Sequence, residues 1–140
     1  MTKDVLFTIR GVHTVDEEDN DVEMIVRGDY YQKNGKHYVL YEELIEGFKE
    51  PVKNIIKITS TSMDITKKGT AITHMLFEKN RKNVSCYSTP FGEIVVGIQA
   101  NHFAVDEQAD SLKVNVDYSL DINYEHMSDC RILVDVQSCQ

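Results

Sequence analysis

The chain has 140 residues and a formal net charge of −8, with 41% hydrophobic and 27% charged residues. This length fits one domain with a core of its own, so we expect a single β-barrel domain over residues 1–140. The negative charge disfavours nucleic acid and acidic lipid as partners, and no apolar run approaches the ~18 residues of a membrane span.

The N-terminus and the cysteines both favour a cytoplasmic location. Met1 is not followed by a basic stretch and an apolar core, so no secretory signal is visible. The three cysteines, Cys86, Cys130 and Cys139, are odd in number and widely spaced. Such a set fits free thiols in a reducing compartment better than a disulfide framework.

The first half of the chain reads as strands joined by turns. Residues 5–15 predict a first strand and residues 22–31 a second, with Gly28 marking a bulge or a bend. Asn34-Gly35 stands between two aromatic-rich runs, which is a strong hairpin signal. Residues 37–42 return as a strand. For residues 43–51 three alternatives remain: a helical turn, a continued strand or an ordered loop.

The second half continues in the same way. Residues 54–59 are strongly β-prone, and residues 62–66 and 71–77 flank a tight turn at Lys68-Gly69. After a strand at residues 84–88, Thr89-Pro90-Phe91-Gly92 predicts a type I turn with proline at its second position.

The clearest strand pattern runs over residues 112–124. Its apolar side chains alternate with polar ones, which on a strand buries one face and exposes the other. A final strand follows at residues 131–136. The apolar set is Leu112, Val114, Val116, Tyr118, Leu120, Ile122 and Tyr124.

These elements predict an all-β fold of eight to ten antiparallel strands. No helical pattern separates the strands, which disfavours a parallel βαβ fold. Many short strands must hide their edges, and closing the sheet does so. We therefore expect a closed or nearly closed barrel, with an open sandwich as the second choice.

The order of several motifs resembles a known family. Residues 28–43 carry Gly-x-Tyr-Tyr-x-Lys-x-Gly followed by Tyr-x-x-Tyr-x-Glu, and Gly69, Phe77, residues 87–92 and the alternation from Leu112 follow. The chain resembles the uncharacterised bacterial YwiB-like proteins, which implies a calycin-type, lipocalin-like barrel and no established activity. The Gly-x-Trp of typical lipocalins is absent because the chain has no Trp, which argues against a secreted carrier.

The barrel interior is the predicted site. Barrels of about eight strands are either filled by side chains or hold one small ligand. A few hydroxyl donors in an apolar interior would suit a small amphipathic molecule, although buried tyrosines also serve as ordinary core residues. Whether His74 faces the interior is left open, because both faces of its strand carry large apolar residues. Ile72 and Leu76 share the face of His74, and Met75 and Phe77 share the other face. The candidate ligand-binding residues are Tyr30, Tyr38, His74, Tyr87 and Tyr118.

No motif predicts catalysis, a metal or a cofactor. The five histidines fall on separate segments without ligand spacing, and Cys86 lies in a strand context without a helix N-terminus to activate it. We therefore expect no catalytic residues, no metal and no cofactor.

Three functions remain open from the sequence. The leading hypothesis is a cytosolic barrel that binds a small amphipathic or hydrophobic ligand. The second is a structural or protein-interaction barrel with a filled core, covered at an exposed patch or an unpaired edge by a partner or a second copy, which leaves room for a homodimer. The third, ranked last, is an enzyme with a Tyr/His/Glu set at the barrel mouth.

Overall fold

The computed structural model describes residues 1–15, 18–44, 46–47, 49–69 and 72–139, without the side chains of residues 13–15, 18–20 and 87–89. The regular elements of this part are ten β-strands, so the predicted all-β class is confirmed. Their bounds are β1 Asp4–Val15, β2 Glu18–Lys33, β3 Lys36–Glu43, β4 Val52–Ile58, β5 Ser62–Lys68, β6 Ile72–Glu78, β7 Lys82–Thr89, β8 Gly92–Glu107, β9 Ser111–Ile122 and β10 Glu125–Ser138.

The strands form one antiparallel sheet in the order β6-β5-β4-β3-β2-β1-β10-β9-β8-β7. The first and last strands pair with each other, from Val5 opposite Ser138 to Thr14 opposite Asp129. All other neighbours are consecutive in the chain, as short hairpin connections require. The sheet therefore consists of two meanders joined through the β1–β10 pair.

The two ends of this sheet meet and nearly close the barrel. A parallel bridge joins Lys79 to Ala100 of β8. Asn80 N donates to Ala100 O at 3.2 Å, and Asn83 Nδ2 donates to Leu76 O at 3.2 Å. These bonds protect the sheet edges that a flat arrangement would expose. The predicted nearly closed barrel is confirmed.

The interior face of β3 to β6 consists of three rows of directly paired residues, as the registers of these strands show. The first two rows are apolar apart from His37, and most of their members are buried. The third row is polar. In order the rows are His37, Ile58, Met63 and Phe77; Val39, Ile56, Ile65 and Met75; and Tyr41, Asn54, Lys67 and Thr73.

Side chains from distant strands meet inside the barrel. The rings of Phe77 on β6 and Tyr118 on β9 lie 4.9 Å apart in an edge-to-face arrangement. The rings of Phe7 on β1 and Tyr41 on β3 stack at 5.0 Å. Both phenylalanines are fully buried, and each such ring stabilises the fold by roughly 1.5–3 kcal/mol. The barrel is filled at these two levels.

The predicted turns fall where glycine and asparagine place them. β2 and β3 are joined through Asn34 and Gly35, whose φ values are 54° and 74°. Positive φ at both positions is what a type I′ hairpin requires. Thr89 pairs with Gly92 around Pro90 and Phe91, so that turn is also confirmed in place. The described residues between Glu43 and Val52 form turns and bends without a strand or helix.

The part of the chain described here contains no helix that is both long enough and apolar enough to cross a membrane.

Candidate ligand site

The two halves of the barrel separate at Gly28 of β2. Residues 18–29 of β2 pair with β1, but pairing with β3 starts only at Asp29 opposite Leu40. A Cβ on Gly28 would lie 2.9 Å from Leu40 O, so only glycine lets the two backbones approach this closely before they part. β2 itself shows no register shift here. Gly28 was predicted to mark a bulge or a bend; no bulge is present in the described part of β2, and the glycine lies where β2 and β3 diverge.

A pocket of about 680 Å³ lies at this divergence. Such a volume is within the range of small-molecule sites. Charged side chains of both signs surround it, among them Arg27, Asp29 and Lys53. Tyr41 and Asn54, two members of the polar interior row, also line it.

Asn54 is the most unusual side chain of this pocket. It is 1% exposed, yet its Oδ1 has no hydrogen-bond partner among the described residues. Nδ2 donates to Glu43 Oε1 at 2.9 Å and to Val52 O at 3.4 Å. Both partners are acceptors, so the amide orientation is fixed by its neighbours and the oxygen is the unpaired atom. Leaving such a group unpaired costs about 1–3 kcal/mol.

Glu43 and Lys67 complete the polar network around Asn54. Lys67 Nζ lies 3.4 Å from Glu43 Oε1, the oxygen that also accepts from Asn54. The Glu43 side chain is largely covered, while that of Lys67 is half exposed. The carboxylate is therefore held by two donors, and the buried carboxamide oxygen beside it has no partner among the described residues.

Tyr41 supplies a hydroxyl that stays protonated. Burial raises the pKa of Tyr41, and the negative charge of Glu43 adds to the shift. A buried phenol with a raised pKa remains a neutral hydrogen-bonding group at physiological pH. Tyr41 and Asn54 thus line the pocket together with the half-buried apolar residues Leu40 and Ile55.

The five residues predicted from the sequence do not come together. Tyr30 and Tyr118 are buried in the interior. Tyr38 lies on the outer face and stacks on Tyr31 at 4.7 Å. His74 is also on the outer face, with Nε2 2.6 Å from Asp64 Oδ1. The side chain of Tyr87 lies outside the described residues.

None of the four predicted side chains that the structure describes lines the 680 Å³ pocket. Tyr118 instead packs beside Cys130: burial raises the pKa of Tyr118, with Cys130 as a smaller cause. A role in ligand binding for Tyr30, Tyr38, His74, Tyr87 and Tyr118 stays a prediction.

Tyr30 belongs to a second polar cluster near the Asn34-Gly35 turn. Its hydroxyl lies 2.6 Å from Nδ1 of His37, and Nε2 of His37 lies 3.5 Å from Glu107 Oε2. Glu107 favours a proton on Nε2, which leaves Nδ1 to accept from the tyrosine. Both ring nitrogens of the buried His37 thus face protein groups. A pocket of about 400 Å³ adjoins His37 and Glu107.

This cluster is the kind of Tyr/His/Glu set that the enzyme hypothesis requires. However, a general acid or base needs a titrating atom within reach of substrate, and His37 is only 5% exposed. The chemistry that the arrangement supports directly is structural: it ties the β2–β3 hairpin to the end of β8. Among the described residues, no group of three or more His, Cys, Asp or Glu side chains is arranged to hold a metal.

Comparison with known proteins places the chain in a family. A family model described as a domain of unknown function, DUF1934, matches residues 7–134. The chain belongs to the DUF1934 family. The crystal structure of the ywiB protein from Bacillus subtilis matches this DUF1934 protein with a TM-score of 0.76 and 19% identity, covering 97% of this chain and 93% of the other. This likeness shows the shared fold, and the predicted YwiB-like resemblance is confirmed.

No curated protein matches the DUF1934 chain in sequence. The fold and the family are therefore shown, and the function must be argued from the chain's own residues.

The sequence contains a signal for Asn54 that the strand analysis did not use. In β4, Val52, Asn54, Ile56 and Ile58 share one parity, and all four are buried. A polar residue at an apolar parity position of a strand indicates either a satisfied buried polar group or a site. Which of the two applies depends on its partners in space, which the sequence does not provide.

Proposed function

We propose that this DUF1934 protein binds a small amphipathic molecule in the 680 Å³ pocket where β2 and β3 separate. The unpaired carboxamide oxygen of Asn54 is the observation that carries the proposal. Buried polar groups without partners are rare in folded proteins and call for an explanation. A ligand that donates a hydrogen bond to Asn54 Oδ1 supplies one.

The surroundings of Asn54 define the chemistry of the ligand. Its head group carries an O–H or N–H donor, because Asn54 Oδ1 and Glu43 both accept. The head group is uncharged, because acidic and basic side chains border the pocket in equal number. Its apolar part contacts Leu40 and Ile55. The bordering charges are Asp4, Asp29, Glu42, Arg27, Lys53 and Lys68.

This proposal moves the ligand away from the barrel axis. The sequence favoured a ligand in the interior, but Phe7, Phe77 and Tyr118 fill the interior at the levels where they meet. The site at the strand divergence needs no hollow core. It keeps the leading hypothesis, a binding module, and changes the place where the ligand sits.

Native mass spectrometry of the purified protein tests the proposal. We expect a mass adduct that is released on denaturation and that is absent from the Asn54→Leu variant. The matched control is Asn115→Leu, because within the described part of the chain Asn115 Oδ1 also has no partner but Asn115 is not among the residues that line this pocket.

A fluorescence titration with N-phenyl-1-naphthylamine, a neutral aromatic amine with one N–H donor, provides a second readout. We expect binding to the wild type and to Asn115→Leu, and at least ~10-fold weaker binding to Asn54→Leu, since losing one buried hydrogen bond costs about 1–3 kcal/mol. Ile55→Trp, which fills the pocket from the half-buried Ile55, replaces Asn54→Leu if that variant does not fold. Equal binding by all variants would rule out this pocket.

A protein-interaction role is the second candidate, and a different observation favours it. One side of β2 has no neighbouring strand along residues 18–28 in the described structure. An enzymatic role ranks third, because the Tyr30–His37–Glu107 cluster presents a buried imidazole.

A further inference from the structure

The side of β2 that faces away from β1 is open. Residues 18–28 pair with β1, while β3 begins to pair only at Asp29. Within the described residues no backbone hydrogen bond reaches residues 18–28 from that side. This open edge of β2 is a row of unpaired peptide groups of the kind that accepts an added strand.

The register identifies which peptide groups are unpaired. Tyr30 N donates to Lys3 O at 2.7 Å, so Tyr30 directs its peptide groups towards β1. Along an antiparallel strand, successive residues direct their N–H and C=O groups to opposite sides. Even-numbered residues of β2 therefore bond to β1, and Glu23, Ile25 and Arg27 direct their N–H and C=O groups to the open side.

The open edge lacks several of the usual protections of an edge strand. It contains no proline and no register shift against β1. Val22 is 63% exposed and Ile25 is 59% exposed, on opposite faces of the strand. Charged side chains are its remaining protection, and charge selects among partners as well as repelling them.

Those charges point to a basic partner rather than to a second copy. The stretch 18–28 carries four acidic residues and one basic residue, Arg27, and the chain as a whole carries −8. Asp21 already pairs with Arg10, so the exposed Glu23 is the carboxylate of the outer face that a partner meets. Antiparallel self-pairing of the whole stretch would set Arg27 opposite Asp19, but it would centre on Glu23 and place two Glu23 carboxylates opposite each other. Like charges directly across a strand pair are destabilising. A partner with lysine or arginine opposite Glu23 meets opposite charge instead.

We propose that the open edge of β2 binds an extended polypeptide segment in which basic residues alternate with apolar ones. The backbone of the segment pairs with Glu23, Ile25 and Arg27, a basic side chain faces Glu23, and its apolar side chains cover Val22. This inference specifies the partner of the interaction role named above, and it rests on the unpaired backbone of β2 rather than on Asn54, although Arg27 and Gly28 border both the open edge and the ligand pocket.

Hydrogen exchange measured by NMR tests the open edge directly. In the free protein we expect the amides of Glu23, Ile25 and Arg27 to exchange faster than those of Met24 and Val26. A capped peptide of about seven alternating lysine and valine residues, a normal strand length, slows the first set on binding. A glutamate–valine peptide of the same length binds at least ~10-fold more weakly.

Two variants separate the edge from the rest of the fold. Ile25→Pro removes an N–H that points away from β1 and should abolish peptide binding while β1–β2 pairing persists. Glu23→Lys should weaken binding of the lysine–valine peptide about fivefold to tenfold. Asp110→Lys makes the same charge change at an exposed residue between β8 and β9 and should leave binding unchanged.

Each result has a definite meaning. Equal protection of odd and even amides in the free protein overturns the open edge itself. Fast exchange at Glu23, Ile25 and Arg27 without binding of the lysine–valine peptide overturns the proposed partner but leaves the edge open. Concentration-dependent dimerisation that protects the same three amides would assign the edge to a second copy and overturn the proposal.

Discussion

The hydroxyl of Tyr30 and Nδ1 of His37 lie 2.6 Å apart in the buried end of the barrel, beneath the Asn34-Gly35 turn. Because Nε2 of the same ring faces Glu107 at 3.5 Å, this hydrogen bond is part of a connection from β2 through β3 to β8. It secures the hairpin that ends at the Asn34-Gly35 turn.

Tyr30→Phe should therefore destabilise the protein. Removing the hydroxyl leaves Nδ1 of the buried His37 without its donor, and we expect a loss of about 1–3 kcal/mol in the free energy of unfolding. Urea denaturation measures the loss. Tyr31→Phe is the control, because Tyr31 is 46% exposed and should change stability by less than about 0.5 kcal/mol. Equal effects of the two variants would show that the Tyr30–His37 bond adds no stability.

The glycines at positions 28 and 11 offer a matched pair on neighbouring strands. A Cβ at Gly28 meets Leu40 O at 2.9 Å, whereas a Cβ at Gly11 meets nothing within 4 Å. Gly28→Ala should cost about 1–3 kcal/mol through a forced shift of β3. Gly11→Ala should be neutral or stabilise by up to about 1 kcal/mol, because it restricts the unfolded chain. Thermal unfolding of both variants checks this, and a tolerated Gly28→Ala contradicts the close approach of β2 and β3.

Much of this fold follows from patterns within single strands. The alternation from Leu112 predicted β9, and Leu112, Val114 and Val116 are buried as expected. The predicted strand extends two residues beyond the C-terminal end of the observed one. β9 ends at Ile122, because Asn123 and Tyr124 take positive φ values of 51° and 69° in the turn to β10. Tyr124 is consequently 79% exposed.

The site did not follow from such patterns, because it depends on register. Tyr41, Asn54 and Lys67 are distant in sequence and become neighbours only through the pairing of β3 with β4 and of β4 with β5. A shift of one residue in either pair would turn a side chain to the other face. The parity of His74 was open for the same reason, and Phe77, buried on the opposite face, places His74 outside.

The free energy of unfolding at alkaline pH should depend on the two tyrosines whose pKa values are raised most. Burial raises the pKa of Tyr41 and of Tyr118 above the ordinary value of 10. The native state therefore holds these protons after the unfolded chain has released them. The two protonated tyrosines therefore contribute fully to the free energy of unfolding below about pH 10. As pH rises further, this contribution falls by about 1.4 kcal/mol per pH unit for each tyrosine.

Tyr41→Phe should reduce this alkaline loss by about a third to a half, because burial raises the pKa of Tyr30 as well. Urea unfolding of the wild type and of the variant, at several pH values above about 10, measures the two slopes. Tyr31→Phe is again the control and should keep the wild-type slope. An unchanged slope in Tyr41→Phe would mean that Tyr41 ionises freely in the folded protein.

Arg10 and Asp21 form a bidentate ion pair across β1 and β2, next to the open edge. Arg10 Nη2 and Nε lie 2.6 Å and 2.9 Å from Asp21 Oδ2, and these hydrogen bonds lower the pKa of Asp21 below its ordinary value of 3.8. The pair therefore stabilises the hairpin above that ordinary value, and the effect disappears as pH falls through the lower folded value.

Arg10→Gln should raise the pKa of Asp21 towards its ordinary value, as followed by the carboxyl carbon signal in an NMR titration. Arg27→Gln removes a cation elsewhere in β2 and should leave the Asp21 titration unchanged. Because both partners are close to half exposed, global stability should change little. An Asp21 midpoint that does not respond to Arg10→Gln would contradict the ion pair.

The most direct test of the ligand site is a high-resolution crystal structure of the protein as purified, inspected at Asn54. The account predicts a bound organic molecule in the pocket between β2 and β3, with a donor atom about 2.7–3.2 Å from Asn54 Oδ1. An Asn54 oxygen paired only with an ordered water, or with a donor of the protein itself, would contradict it.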